Sequence, residues 1–387
     1  MNKVVLICSS NNYNELGLVR SFGVNKIKPY GIIICKKKNW KKEWVHRSKY
    51  WKKYYRVDSA EKALDLLLKE FGNEKAKPVV ITPIDYVVQI IDARYDEFSK
   101  KFILQSIKGK QNGINALANK LEQAKLTEVL GFKTLPTKIL YIENFEQSQV
   151  KDDEFPVLLK PVQGGEGSKD DITICKDRKE LGDCIDFLKG KKYQRILCQK
   201  YLEEREEFVL FGAVCTGLCS YTVIKNLRQW PLSFGVGSFA KLVVDEKYIV
   251  FGAQLFEKLA EFGYDGPIDV EFFLDKKTGS IYVSEYNWRP GGRNFTSLGT
   301  NVYSIVLWYL IRTGQSIDGL TVVNRRDGYS MNDATDYNHV IYKNITKRQW
   351  KRDFKNSCAH ALYNKKDIKP WIIPTLSRIK NKILRRK

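Results

Sequence analysis

Histidine is nearly missing from this sequence: three in 387 residues, His46, His339 and His360. That supply argues against imidazole-based nucleophile pairs and His-rich metal sites. The eight cysteines are scattered, and the closest pair, Cys215 and Cys219, has no His or Cys partners at zinc spacing. They read as reduced thiols of a cytosolic protein. Long apolar runs are also lacking. VYSIVLWYLI (302–311) falls short of the ~20 residues that cross a bilayer and reads as a buried helix. The opening MNKVVLICSSNN has only five apolar residues in a row, so no signal peptide is expected. No GxGxxG follows the first strand, and no loop ends in the Gly-Lys-Ser/Thr of a P-loop.

Acid is short as well. Asp and Glu number 44 against 66 Lys and Arg, a formal net charge of +22. The excess collects in two places. Residues 341–387 hold fifteen basic side chains against Asp353 and Asp367. KKKNWKKEWVHRSKYWKKYYR (36–56) has ten, with one acid, Glu43, and six aromatics. Such clusters favour polyanions: nucleic acid, anionic lipid or phosphorylated substrates.

What is present alternates. VVLIC (4–8), YGIIIC (30–35) and PVVITP are continuous apolar strands, separated by helical stretches such as NELGLVRSFG (14–23) and AEKALDLLLKEFG (60–72). Buried strands between amphipathic helices predict a small parallel α/β domain. From about residue 113 the texture becomes α+β. The spacing predicts a helix over 114–131 with Lys120 inside it, then the strand FPVLLKP (155–161), the loop GGEGS (164–168) and a returning strand, DDITIC (170–175). ILCQKYL (196–202), FVLFGAVC (208–215) and the hairpin IDVEFFLD–KKTG–SIYVSEYNWR follow.

That hairpin carries the clearest chemistry. Asp269 and Glu271 fall on one face of the first strand; Glu285, Asn287 and Arg289 occupy alternate positions of the second. Clustered carboxylates with an amide suit Mg²⁺ held together with phosphates. An Arg two residues on can neutralise a transferring phosphoryl group or an oxyanion. The alternative is a solvated edge hairpin. Lys160 closes a strand of otherwise apolar residues just before the glycine loop, whose amides can cover phosphates as a lid. In QKYLEEREEFVL (199–210), the backbone of a connection could pair with an adenine edge while Glu206 or Glu207 holds ribose hydroxyls.

Taken in order, these pieces resemble the ATP-grasp superfamily over roughly residues 1–316. Within it they look most like carboxylate–amine ligases of the D-aspartate ligase type, which serve cell-surface polymer synthesis. The marks are Lys120, FPVLLKP, GGEGS, QKYLEE, IDVEFFLD and the Glu-x-Asn-x-Arg of SEYNWR, followed by EYNWRPGGRNFTSLGTN. The hinge has Glu203-Glu204 where Pro-Gly is usual, so the ribose carboxylate stays open between Glu206 and Glu207.

The resemblance implies a parallel α/β pre-grasp domain at 1–112, an ATP-grasp fold of two α+β subdomains clamping ATP at 113–316, and a basic C-terminal extension at 317–387. It implies ATP held by Lys120, Lys160, Gly164, Gly165, Gly167, Ser168, Gln199, Lys200, Tyr201, Leu202 and Glu206 or Glu207. Two Mg²⁺ ions would sit on Glu271, Glu285 and Asn287, and Arg289 would stabilise a tetrahedral intermediate. Lys225, Arg228 and Arg293 are substrate candidates, from a stretch (225–241) where such enzymes present substrate loops. The implied reaction joins an amino acid and a carboxylate or amine acceptor through an acyl phosphate, with release of ADP.

IKPWIIPTLSRIKNKILRRK (368–387) reads as an interfacial segment for an anionic membrane or a lipid-linked precursor, or as a basic tail. The expected location is the cytoplasm, peripheral to the inner face of the membrane. Two other readings stay open: a ligase for small soluble substrates, and a nucleic-acid-binding protein stacking bases on the aromatics of 36–56. The second leaves the Glu-x-Asn-x-Arg row unexplained, and nucleic acid is not the expected partner.

Overall fold

Strand β1 (Val4–Ser9) is apolar without interruption because both of its faces are covered. Val5 and Ile7 join a core cluster with Ala63, Leu64, Leu67 and Phe71; Val4, Leu6 and Cys8 join another with Leu16, Val19 and Phe22. Each such side chain contributes about 1.5–3 kcal/mol by leaving water. The computed structural model describes residues 2–162, 171–191, 193–232 and 235–375. The chain forms two compact units: residues 1–115, 209–269 and 287–387 make one, and 116–208 with 270–286 make the other.

In the first unit β2 (Tyr30–Ile34), β3 (Lys53–Val57) and β4 (Val79–Ile81) join β1 in the order β3-β2-β1-β4. All pairings are parallel, as the buried runs required. The crossover helix Ala60–Phe71 starts where the Ser59 side chain accepts from Lys62 N–H. Its buried residues, Ala60, Ala63, Leu64, Leu67 and Phe71, follow the helical period. A short β5 (Ser106–Ile107) comes after.

In the second unit β6 (Thr137–Tyr141), β7 (Val157–Lys160), β8 (Thr173–Cys175) and β9 (Arg195–Lys200) form an antiparallel sheet in the order β6-β9-β7-β8. Helix Arg178–Gly190 covers one face, packing Leu181, Ile185 and Leu188 against Val157, Leu159, Ile196 and Cys198. Alternation along the strands leaves Leu158, Lys160 and Gln199 on the other face. The helix expected over 114–131 is shorter, Lys120–Val129. The Asn119 side chain caps Glu122 N–H, so Lys120 is its first residue, not an interior one.

β10 (Arg205–Cys215), β11 (Leu218–Trp230), β12 (Val236–Leu242), β13 (Tyr264–Asp275), β14 (Ile281–Asn287), β15 (Gly328–Met331) and β16 (Ser357–His360) complete the strands. In the first unit β13, β10, β11, β12, β15 and β16 are successive neighbours, and β5 pairs Ile107 with Tyr264 of β13. The β13–β14 turn matches the expected KKTG. Asp275 caps it through Lys277 N–H and Thr278 Oγ1, and Gly279 takes φ +69°. Part of the expected extension is built into the sheet, since β15 pairs with β12 and β16 with β15. All eight cysteines are free thiols.

Candidate active site

Lys120 opens its helix and reaches Glu285 on β14, Nζ to Oε2 2.7 Å. The side chain of Gln123, one turn on, accepts from Tyr286 N–H (3.0 Å) and donates to Tyr286 C=O (2.9 Å). This two-point clamp fixes the strand beside Glu285, and sequence reasoning missed it. A glutamine in the first turn of a helix gives no signal of a strand 163 residues away. Lys160, last in β7, donates to Gln199 Oε1 at 3.0 Å. Burial, then the charge of Lys120, lowers the Lys160 ammonium from its ordinary 10.5 to about 7, against the pull of Glu285 and Glu271. Lys120, Lys160, Gln199, Glu271 and Glu285 are thus electrostatically one group inside the second unit.

Gly164, Gly165, Gly167 and Ser168 lie outside the described residues. At the hinge, Lys200 spends its ammonium on the carbonyls of Asp153, Glu154 and Phe155 (3.2, 3.0 and 2.8 Å), and Tyr201 N–H on Pro156 C=O. Arg205 donates to the Leu202 carbonyl and to Glu207 at 3.0 Å, with its guanidinium over the Tyr201 ring. Glu207 is therefore engaged by an arginine. A cleft of about 650 Å³ is lined by Thr137, Lys138, Val157, Cys198, Lys200 and Leu202, so two of the expected nucleotide residues border it. Lys120, Lys160, Glu271 and Glu285 are not among its lining residues, while Thr137 bonds Gln199 at 2.9 Å.

The expected three-residue row is cut short. β14 ends at Asn287, and Arg289 N–H turns back onto the Asn287 carbonyl at 2.7 Å. The Arg289 guanidinium is held by Asp85, Nε to Oδ1 2.9 Å and Nη2 to Oδ2 3.2 Å, and touches Asn287 Oδ1 at 3.3 Å. Asp85, first in a helix after β4, was not anticipated; the one sequence signal is its place at the carboxyl end of a parallel strand. The room at Gly291 goes to this chain's own carboxylate, because a Cβ there would overlap Asp269. Glu15 is also buried here and bonds Ser9 Oγ at 2.6 Å; burial lifts its carboxyl to about 7.

The substrate candidates separate. Arg228 is no free cation: it sits on β11, bonded to Asp336 (3.1 and 2.9 Å) and Asp353 (2.8 Å), a structural bridge. Lys225, on the same strand, stands opposite Lys241 of β12. Both lie on long strands where a substrate loop was expected. Arg293 is buried and donates to Asn226 Oδ1 at 2.7 Å.

The expected Mg²⁺ set of Glu271, Glu285 and Asn287 contains two carboxylates. Among the described residues no three or more His, Cys, Asp or Glu side chains are placed to hold a metal. Glu271 and Glu285 of the second unit, in one electrostatic group with Lys120 and Lys160, suit a hard cation whose shell is completed by phosphates and water.

No protein-family profile matches the chain. A D-alanine–D-alanine ligase from Ruminiclostridium cellulolyticum is 25% identical over 149 residues, 35% of this chain and 38% of that protein. The match thus spans well under half of the curated relative. Among solved structures, the biotin carboxylase domain of Hydrogenobacter thermophilus 2-oxoglutarate carboxylase, in complex with MgADP, ADP and bicarbonate, superposes with a TM-score of 0.64. It is 18% identical and covers 85% of this chain and 74% of its own. N5-carboxyaminoimidazole synthetase from Staphylococcus aureus gives 0.62 at 14% identity, over 89% and 88%. An L-amino acid ligase from Bacillus licheniformis gives 0.60 at 13%, over 85% and 79%. The chain has the fold of these proteins, an ATP-grasp fold preceded by a parallel α/β domain.

Proposed function

We propose that the protein is an ATP-dependent, ADP-forming carboxylate–amine ligase that adds an amino acid to a precursor of a cell-wall or surface polysaccharide. The observation that carries this reading is the Lys120–Glu285 ion pair, with Lys160 in the field of Lys120, Glu285 and Glu271, inside an ATP-grasp fold. An ammonium lowered to about 7 by burial and a neighbouring cation is a place where a polyphosphate relieves strain in the charge balance.

Residues 1–112 serve as the pre-grasp domain, 113–316 as the grasp, and 317–387 as the extension. Lys120 and Lys160 bind phosphate oxygens, the 164–168 loop covers them, and the 199–202 backbone with Glu206 or Glu207 takes the nucleoside. Glu271, Glu285 and Asn287 would hold Mg²⁺, which neutralises phosphate charge when bound. A substrate carboxylate oxygen attacks the γ-phosphorus and ADP leaves. The amine nitrogen then attacks the acyl carbon, Arg289 stabilises the oxyanion, and inorganic phosphate departs with the former carboxylate oxygen. Positioning and charge neutralisation suffice, which suits a chain with three histidines.

Similarity to a D-alanine–D-alanine ligase and to an L-amino acid ligase equally supports a second reading, a ligase for small soluble amino acids. The test is ADP release across an amino-acid panel, followed by ¹⁸O-labelled carboxylate for each substrate found. Label in the released phosphate supports the acyl-phosphate route; ADP release without label in phosphate refutes it. Turnover with free amino acids alone selects the second reading.

A further inference from the structure

The proposed reaction makes no use of the basic aromatic segment 36–56. Lys36, Lys37, Lys38, Lys41, Lys42, Lys49, Lys52, Lys53 and Arg56 are exposed. The segment's one acid, Glu43, is buried and engaged by Ser10 rather than exposed among the lysines. The aromatics point elsewhere. Trp44 and Trp51 are core residues, and Tyr55 packs edge-on to Phe71 and donates to Glu70. Trp40 is stacked on His46 at 4.0 Å, with the Arg56 guanidinium 5.8 Å from its ring. Tyr54 alone among these five is well exposed, at 41%. A row of rings able to stack bases is therefore lacking, which removes the platform for single-stranded nucleic acid.

A second basic segment is fastened beside the first. Asp367 accepts from Ser48 Oγ (2.8 Å) and Lys49 N–H (3.0 Å), and buried Arg20 holds it at 3.0 Å. Trp371 packs against the same core cluster as Trp40. Lys365, Lys366, Lys369 and Ile372 are exposed there. Segments more than 300 positions apart thus present charge of one sign from one part of the first unit.

We propose that this face docks on the surface of an anionic phospholipid bilayer. Eight of the ten basic residues in 36–56 are lysines. Their hydrated point charges suit a diffuse surface potential, whereas bidentate recognition of single phosphates favours arginine. Each basic side chain near such a surface strengthens binding about fivefold. The inference stands on the face itself and not on the ligase reading.

The test is sedimentation of the full chain with phosphatidylcholine vesicles, with and without phosphatidylglycerol, at low and high salt. A variant carrying Lys37→Glu, Lys38→Glu, Lys41→Glu and Lys42→Glu is run beside it. Expected are binding to the anionic vesicles alone, its suppression by salt, and a loss of about a hundredfold or more in the variant. Nucleotide binding of that variant should be unchanged, which separates this outcome from failure to fold and from the fate of the ligase reading. Equal binding to neutral vesicles, full binding by the variant, or tighter binding to a single-stranded oligonucleotide at the same salt would overturn the proposal.

Discussion

Lys120 and Glu285 form an ion pair of 2.7 Å between the first residue of a helix and a strand carboxylate. Both partners are partly exposed, at 19% and 32%, so the pair adds at most about 1 kcal/mol to stability. Its interest is exchange. On nucleotide binding the ammonium can pass to a phosphate and the carboxylate to a cation, each trading one opposite charge for another.

Lys160 gives that group a pH signature. Its folded-state value of about 7 lies below the ordinary 10.5, so between those limits the unfolded chain binds more protons. Stability without nucleotide should therefore rise with pH through that window, with the full cost of the buried ammonium present below it and gone above it. A bound polyphosphate favours the charged ammonium, so affinity should be highest below pH ~7 and fall by up to about tenfold per unit above it. Lys160→Gln should flatten both profiles, measured by denaturant titration and by calorimetry. Slopes equal to wild type would remove Lys160 from the site.

Asp85 is expected to act as a positioning residue for Arg289. It is largely exposed, so Asp85→Ala should change stability by no more than about 1 kcal/mol. Because it fixes the Arg289 guanidinium at 2.9 and 3.2 Å, kcat should drop about tenfold with KM for ATP unchanged. Asp85→Glu should recover part of the loss. An unchanged kcat would make the pair a surface contact.

Arg228 should behave as a structural residue. Arg228→Ala leaves the fully buried Asp336 carboxylate without its bidentate partner and Asp353 without its short bond. Removing one member of such a pair costs about 3–5 kcal/mol. Denaturation should show that loss, while ATP binding by the folded fraction stays at the wild-type value. Full stability with weakened substrate binding would restore the substrate role.

Local patterns explain which parts were legible in advance. The VVLIC run, the 60–71 helix and the Asp275–Gly279 turn are set by residues within a few positions, through an unbroken apolar stretch, a serine cap and a glycine at positive φ. Lys120, Lys160 and Glu285 stood out because charge interrupts apolar or patterned strands and helices. What stayed hidden are contacts across the chain: Asp85 with Arg289, Arg228 with Asp336, and Arg20 with Asp367, which is 347 positions away. Strands β15 and β16, four residues each, are too short to show a period.

The most direct test of the central claim is calorimetric ATP binding, with and without Mg²⁺, for the wild type and Glu285→Gln. The account predicts Mg²⁺-dependent binding in the wild type that collapses in the variant, both proteins being folded by circular dichroism. A folded wild type that binds no ATP, or a variant that binds as well as the wild type, would contradict it.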